Sequence, residues 1–371
     1  MEYELCIHPL HLRRQYLATK YLLKAQSFAN NITISILQKI SSDCAARYWR
    51  KKKKPLLVSI LEEIKTEKFN KSEPLNMFKL NTWMTNVKTD FIKTDIDGIK
   101  VSKNKCNSGT LKFNVIKMLN TDYQNFHKIF TDGSKTGNRA GAAFYDPSRN
   151  VKELFKIVSP CNNIMSVELF AISEAISYAT TSDNKDVVIL TDSRSALQHI
   201  ARCTSLVRGA SIAYAILKKI LSLQKNGIDL RLQWIPSHIG IRGNEVADSL
   251  AKDSLLNGSQ TYIWPENTEI LNKYKYKIFE KWKIYNDNKF CHKGIWYKIL
   301  QPEPPRTPLC AISSMKREYV VIAHRLRSGH MPLNKFKHLM RHTDSPNCST
   351  CGVPEDVYHL LTKRELSIYG R

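Results

Sequence analysis

Long hydrophobic runs are missing from this sequence. Apolar runs such as residues 319–323 fall far short of the roughly 20 apolar residues that cross a bilayer, so no membrane partner is expected. Missing too is a secretory start: the first 14 residues carry acids, histidine and arginine before any apolar stretch. Nor is there a disulfide framework. The cysteines number nine, an odd count, and only Cys348 and Cys351 stand close together. That distribution is expected of thiols in a reducing, intracellular compartment, nucleus or cytoplasm. Acids are scarce as well: 33 Asp and Glu face 57 Lys and Arg, a formal charge of +24. Such an excess points to a polyanionic partner or an anionic surface, and away from a purely structural protein.

The charge is unevenly spread, and its steps predict three segments. Residues 1–125 hold 22 basic against 11 acidic side chains, residues 126–256 hold 16 against 12, and residues 257–371 hold 19 against 10. The basic N-terminal segment has helical spacing over residues 13–37. A run "RKKKK" at 50–54 follows, expected as a solvated face or linker, and then a Lys- and Asn-rich stretch to residue 125 with only short elements. The tail from 257 is helical and basic, broken by "PEPPRTP" at 302–308.

The nearly neutral middle has a clear rhythm. Strands are predicted at 127–131, 140–145 and 151–158, separated by tight turns. A helix at 166–180 follows, with Ser166 as its N-cap. "DVVILTDS" has the continuous apolar run of a strand buried on both faces. Helices at 195–202 and 206–225, a strand at 228–235 and a helix at 242–255 complete an α/β unit: a five-stranded mixed sheet flanked by helices, with basic, mainly helical flanks.

Two of these strands end alike, in "IFTDGS" and "ILTDS". If they are parallel neighbours, Asp132 and Asp192 emerge side by side. Glu168 in the following helix and Asp248 in the last one could join them. Carboxylates about 4 Å apart repel by roughly 4 kcal/mol at an effective dielectric near 20. Turn chemistry gives no reason for such crowding, whereas a hard divalent cation does. Two such ions can bracket a phosphodiester and promote its hydrolysis.

The four motifs "TDGS", "ELFAISEA", "TDS" and "PSHIGIRGNEVADSLAK", in this order, resemble the type 1 ribonuclease H domain, in particular that of non-LTR retrotransposon polyproteins. The resemblance covers about 130 residues. It implies that Asp132, Glu168, Asp192 and Asp248 hold two Mg²⁺ or Mn²⁺ ions, that His238 assists proton movement or product release, and that the RNA strand of an RNA–DNA hybrid is cut. Glu245 is expected to supply supporting charge. Strand choice must rest on the 2′-hydroxyl, but its contacts are not legible. The single helix at 206–225 lacks a strongly basic face, so hybrid affinity is expected to be weak unless the flanks add to it.

The flanks carry resemblances of their own. Residues 8–25 are similar to the region downstream of the polymerase in retrotransposon reverse transcriptases, yet no polymerase Asp-Asp motif occurs. The chain thus looks like the C-terminal portion of such a polyprotein without its palm. "CSTCGVPEDVYHLL" looks like the terminal Cys/His cluster of these proteins, with Cys348, Cys351 and His359 as Zn²⁺ ligands. Arg364 stands where the pattern has a fourth ligand, which leaves either His338 or His342 as a substitute or a broken site with a reduced, metal-free cysteine pair. The alternative to an enzyme is a catalytically inactive, nucleic-acid-binding remnant. Host, oligomeric state and substrate-binding residues are not encoded legibly.

Overall fold

Asn30 and Asn31 divide what the periodicity predicts as one helix over 13–37. The chain forms α1 (Leu10–Gln26) and α2 (Ile32–Asp43) instead. Asn30 adopts a left-handed backbone with φ 59°, and the Asn31 side chain accepts the Thr33 N–H at 3.0 Å. Asparagine tolerates the first geometry and favours the second. A 3₁₀ turn (Arg47–Lys51) and α3 (Leu56–Thr66) follow. Within the stretch predicted to be mostly irregular lie β1 (Ile92–Lys93) and the 14-residue α4 (Ser108–Thr121).

The computed structural model describes residues 5–26, 28, 30–66, 90–96, 107–159, 163–180, 185–203, 211–290, 294–308 and 316–362. The chain divides into two compact units, residues 19–272 and residues 1–18 with 273–371.

In the first unit, β2 (His127–Thr136), β3 (Arg139–Asp146) and β4 (Val151–Ile157) form the predicted antiparallel meander. Helix α5 (Ile164–Ala179) leads to β5 (Asp186–Thr191), α6 (Arg194–Cys203), α7 (Ser211–Lys225), β6 (Asp229–Trp234), α8 (Arg242–Asn257) and β7 (Ser259–Thr261). The sheet runs β1-β6-β5-β2-β3-β4-β7. The five predicted strands are its centre. The two additions at its edges are two and three residues long, too short for alternation to declare them. Predicted residues 206–210 of the helix before β6 lie outside the described residues.

Val187, Val188, Ile189 and Leu190 of β5 are all fully buried. Val187 and Ile189 pack with Leu169, Ile172 and Leu197, whereas Val188 and Leu190 pack with Val115, Phe130 and Ile235. Alternate residues thus fill opposite faces, and each such side chain contributes about 1.5–3 kcal/mol.

The second unit is helical, as expected. The C-terminal part of α9 (Asn267–Phe290) precedes α10 (Ile295–Leu300), α11 (Arg317–Ser328), α12 (Asn334–Leu339) and α13 (Val357–Thr362). The Trp296 indole donates to the Leu326 carbonyl at 2.8 Å, tying α10 to α11. Among the described residues no helix is long and apolar enough to cross a membrane.

Candidate active site

Parallel pairing of β2 with β5 runs from His127↔Val187 to Thr131↔Thr191. Asp132 and Asp192 are the next residue on each strand, so the shared register delivers them together. Contrary to expectation, β2 does not end there. It continues to Thr136 against β3 alone, with Asp132 opposite Ala143. The hydrophobic run stops where the parallel partner is lost, but the antiparallel ladder holds the backbone extended.

Glu168 reaches the same place from α5. The N-cap of that helix is Asn163 rather than the predicted Ser166: its Oδ1 accepts the Ser166 N–H at 2.8 Å. The glycine of "TDGS" is explained by proximity. A Cβ on Gly133 would stand 3.0 Å from the Glu168 backbone nitrogen and 3.1 Å from its carboxyl carbon.

One carboxylate oxygen each of Asp132, Glu168 and Asp192 lies within 4.8 Å of the others. Asp132 and Glu168 are buried, at 6% and 7% exposure. Burial, then the charges of Asp192 and Asp248, push the Asp132 carboxyl up to about 8, against the lowering effect of the Gly133 N–H. Burial, then Asp132 and Asp192, raise Glu168 well above the carboxylate range. Its Oε2 is buried with no hydrogen-bond partner among the described residues. The three acids thus form a crowded pocket in which Asp132 and Glu168 resist ionisation and Glu168 Oε2 has an unsatisfied lone pair, a donor set suited to a hard divalent cation.

Asp248 stands outside this triad, its Oδ2 accepting from Lys252 Nζ at 2.6 Å, although its charge is felt by Asp132. His238 is exposed on the loop before α8 with φ 55°. Glu245 accepts the Gly240 N–H of that loop at 3.2 Å. Asn244 was not singled out by the sequence. It is buried and its Nδ2 lies 3.4 Å from Asp192 Oδ2. Its place four residues before Asp248, one helical turn, was the only available signal.

In the second unit Cys348, Cys351 and His359 also converge within 4.8 Å. Cys351 Sγ is 3.0 Å from His359 Nε2, and backbone N–H groups of Thr350 and Cys351 lower the Cys348 thiol. Neither His338 nor His342 belongs to this group. The His338 ring instead meets the Thr343 carbonyl at 3.0 Å. Arg364 lies outside the described residues.

No curated protein matches the chain. Solved structures similar to about a third of it include the RNase H1 of the halophilic archaeon Halobacterium salinarum (18% identity, 34% of this chain and 96% of that one, TM-score 0.26). Another is the N-terminal RNase H domain of a Mycobacterium tuberculosis protein fused to maltose-binding protein (16%, 34% and 93%, TM-score 0.25). A third is a foamy viral protease–reverse transcriptase in complex with double-stranded DNA (20%, 35% and 93%, TM-score 0.27). Residues 124–255, which contain the acid triad, Asp248 and His238, match the RNase H family model.

Proposed function

We propose that this domain hydrolyses the RNA strand of RNA–DNA hybrids, with Asp132, Glu168, Asp192 and Asp248 as ligands for two Mg²⁺ or Mn²⁺ ions. The observation that carries this reading is the triad itself: three carboxylates, two of them buried, with an oxygen of each within 4.8 Å of the others and with Glu168 Oε2 unsatisfied among the described residues. When bound, the ions would activate a water and stabilise the departing oxygen of the phosphodiester. The protein's part is to hold its carboxylates deprotonated, which Asp132 and Glu168 resist on their own. His238, exposed two residues before Gly240, would carry a proton at its ring nitrogen or help product leave.

The surrounding segments fit a fragment of a retrotransposon polyprotein, organised as residues 1–125, 126–256 and 257–371. Their basic character would add phosphate contacts to a domain with few of its own. In the tail, Cys348, Cys351 and His359 supply three donors suited to Zn²⁺; titration with Co²⁺ should give the visible bands of a thiolate complex, lost in Cys351→Ser.

The deciding experiment is cleavage of a labelled RNA–DNA hybrid, with RNA and DNA duplexes as controls. Wild type should cut only the hybrid, require Mg²⁺ or Mn²⁺, and stop with EDTA or in Asp132→Asn. Salt-sensitive hybrid binding without cutting would overturn the enzyme and leave a nucleic-acid-binding remnant.

A further inference from the structure

Glu269 lies outside both the segment matched to the family and the acid triad, yet its carboxylate reaches back to the start of α5. Its Oε1 accepts the Asn163 backbone N–H at 3.0 Å and the Ser166 hydroxyl at 2.7 Å. Asn163 is the N-cap of α5, and its side chain holds the Ser166 N–H at 2.8 Å. Asn163, Ser166 and Glu269 therefore form a closed ring of hydrogen bonds around the first turn of the helix that carries Glu168, two residues farther on.

Glu269 is delivered there by a well-anchored segment. Strand β7 pairs with β4 from Phe155↔Ser259 to Ile157↔Thr261, and the Val158 N–H donates to the Thr261 carbonyl at 2.8 Å. Ile263 is buried with Ala140, Val167 and Ala171, beneath the same helix turn. Glu266, one turn before Glu269, meets the Ser211 N–H at the start of α7 at 2.9 Å. An acid just before α9 and another in its first turn thus hold the starts of two other helices.

For stability alone, this is a costly choice. Glu269 is 9% exposed, and its Oε2 is buried without a hydrogen-bond partner among the described residues. A buried carboxylate so placed is usually no more stabilising than an apolar residue of its size. What it does supply is direction: an anion at a helix N-terminus, bonded to both cap and first turn, fixes where that turn begins. Gly133 shows how little slack exists, since even a methyl group there would meet the Glu168 backbone.

We propose that Glu269 is a positioning residue for Glu168, setting the first turn of α5 so that the Glu168 carboxylate faces Asp132 and Asp192. The proposal rests on the reading of the triad as a cation site, and extends the working unit past the matched segment to residue 269. Residues that orient metal ligands commonly change cation affinity by about 10–100-fold when removed.

The test uses the full chain as wild type, Glu269→Ala, Glu269→Gln and Asp132→Asn. Calorimetric titration with Mn²⁺ reads cation affinity, Asp132→Asn identifying the triad's share, and amide exchange reads the helix start. Glu269→Ala should weaken triad binding by about tenfold and speed exchange at residues 164–168, while β2 and β5 keep wild-type protection. Glu269→Gln, which retains an acceptor oxygen, should stay near wild type in both. Unchanged exchange at 164–168 in Glu269→Ala, or faster exchange throughout the sheet, would overturn the positioning role. A wild type that neither binds Mn²⁺ nor cuts hybrid would sink the proposed function, while exchange would still decide whether Glu269 sets the helix start.

Discussion

Asp132 sits on the sequence's most legible signal and on the structure's least comfortable position. A Thr-Asp step at the end of an apolar run was readable, as was its echo at Asp192. The closeness of Glu168 and the need for Gly133 depend on α5 packing over β2, which no local pattern reports. Asn244 was invisible for the same reason, and Asp248 was readable as an acid but not as a partner of Lys252. The raised carboxyl of Asp132 has a definite pH consequence. Because the folded state holds its proton up to about pH 8 and the unfolded chain releases it near pH 4, metal-free stability is greatest at low pH and declines as pH rises through that window. Urea unfolding should find wild type losing about 1–3 kcal/mol more than Asp132→Asn between pH 5 and pH 8, with Mg²⁺ restoring the difference in wild type alone.

At the scale of the element, the turn between β3 and β4 is tied down by Asp146. Its Oδ2 meets His127 Nε2 at 2.9 Å and accepts the Tyr178 hydroxyl at 2.8 Å, while Oδ1 accepts the Ser148 N–H at 2.9 Å. One side chain thereby joins the start of β2, the end of β3 and the end of α5. Burial raises the Asp146 carboxyl, but these bonds outweigh it and leave the group below its usual range. Its contribution is therefore present above about pH 4 and is lost as pH falls through the depressed value. Asp146→Ala should cost about 2–4 kcal/mol at pH 7, by chemical denaturation, and less at pH 3. The sequence showed the turn as "DPSRN" without showing that its first residue binds three elements. Elements with a strong period, such as β5 and α8, were legible. The helix break at Asn30 and the cap at Asn163 were not, because each asparagine belongs to an Asn-Asn pair set among apolar residues that the helical period spans or continues.

At the scale of the molecule, charge partition was legible while the two-unit division was not, since residues 1–18 group with 273–371 across the whole length of the chain. The basic run 51–54 is exposed, and only Lys54 among its lysines is drawn into an ion pair, with Glu62 at 2.9 Å. If the flanks hold the hybrid by its phosphates, replacing Lys51, Lys52 and Lys53 with alanine should reduce the slope of log affinity against log salt by about 2–3. Cleavage at saturating hybrid should be unchanged. An unaltered slope would place the grip elsewhere.

Strand β2 is parallel to one neighbour and antiparallel to the other, and the two bonds differ in the time they take to form. The β2–β4 meander closes through two short turns, whereas pairing Thr131 with Thr191 requires some 60 intervening residues to be gathered in first. Loop closure of that length delays the parallel contact. Asp132 and Asp192 are thus late acquaintances: the acidic pocket is among the last features a newly made chain acquires. Refolding monitored through Mn²⁺ capture should register the cation only in the slowest phase, after the hairpin signal is complete. A molecule interrupted on the way holds its meander but has not yet paired Asp132 with Asp192 to capture a cation.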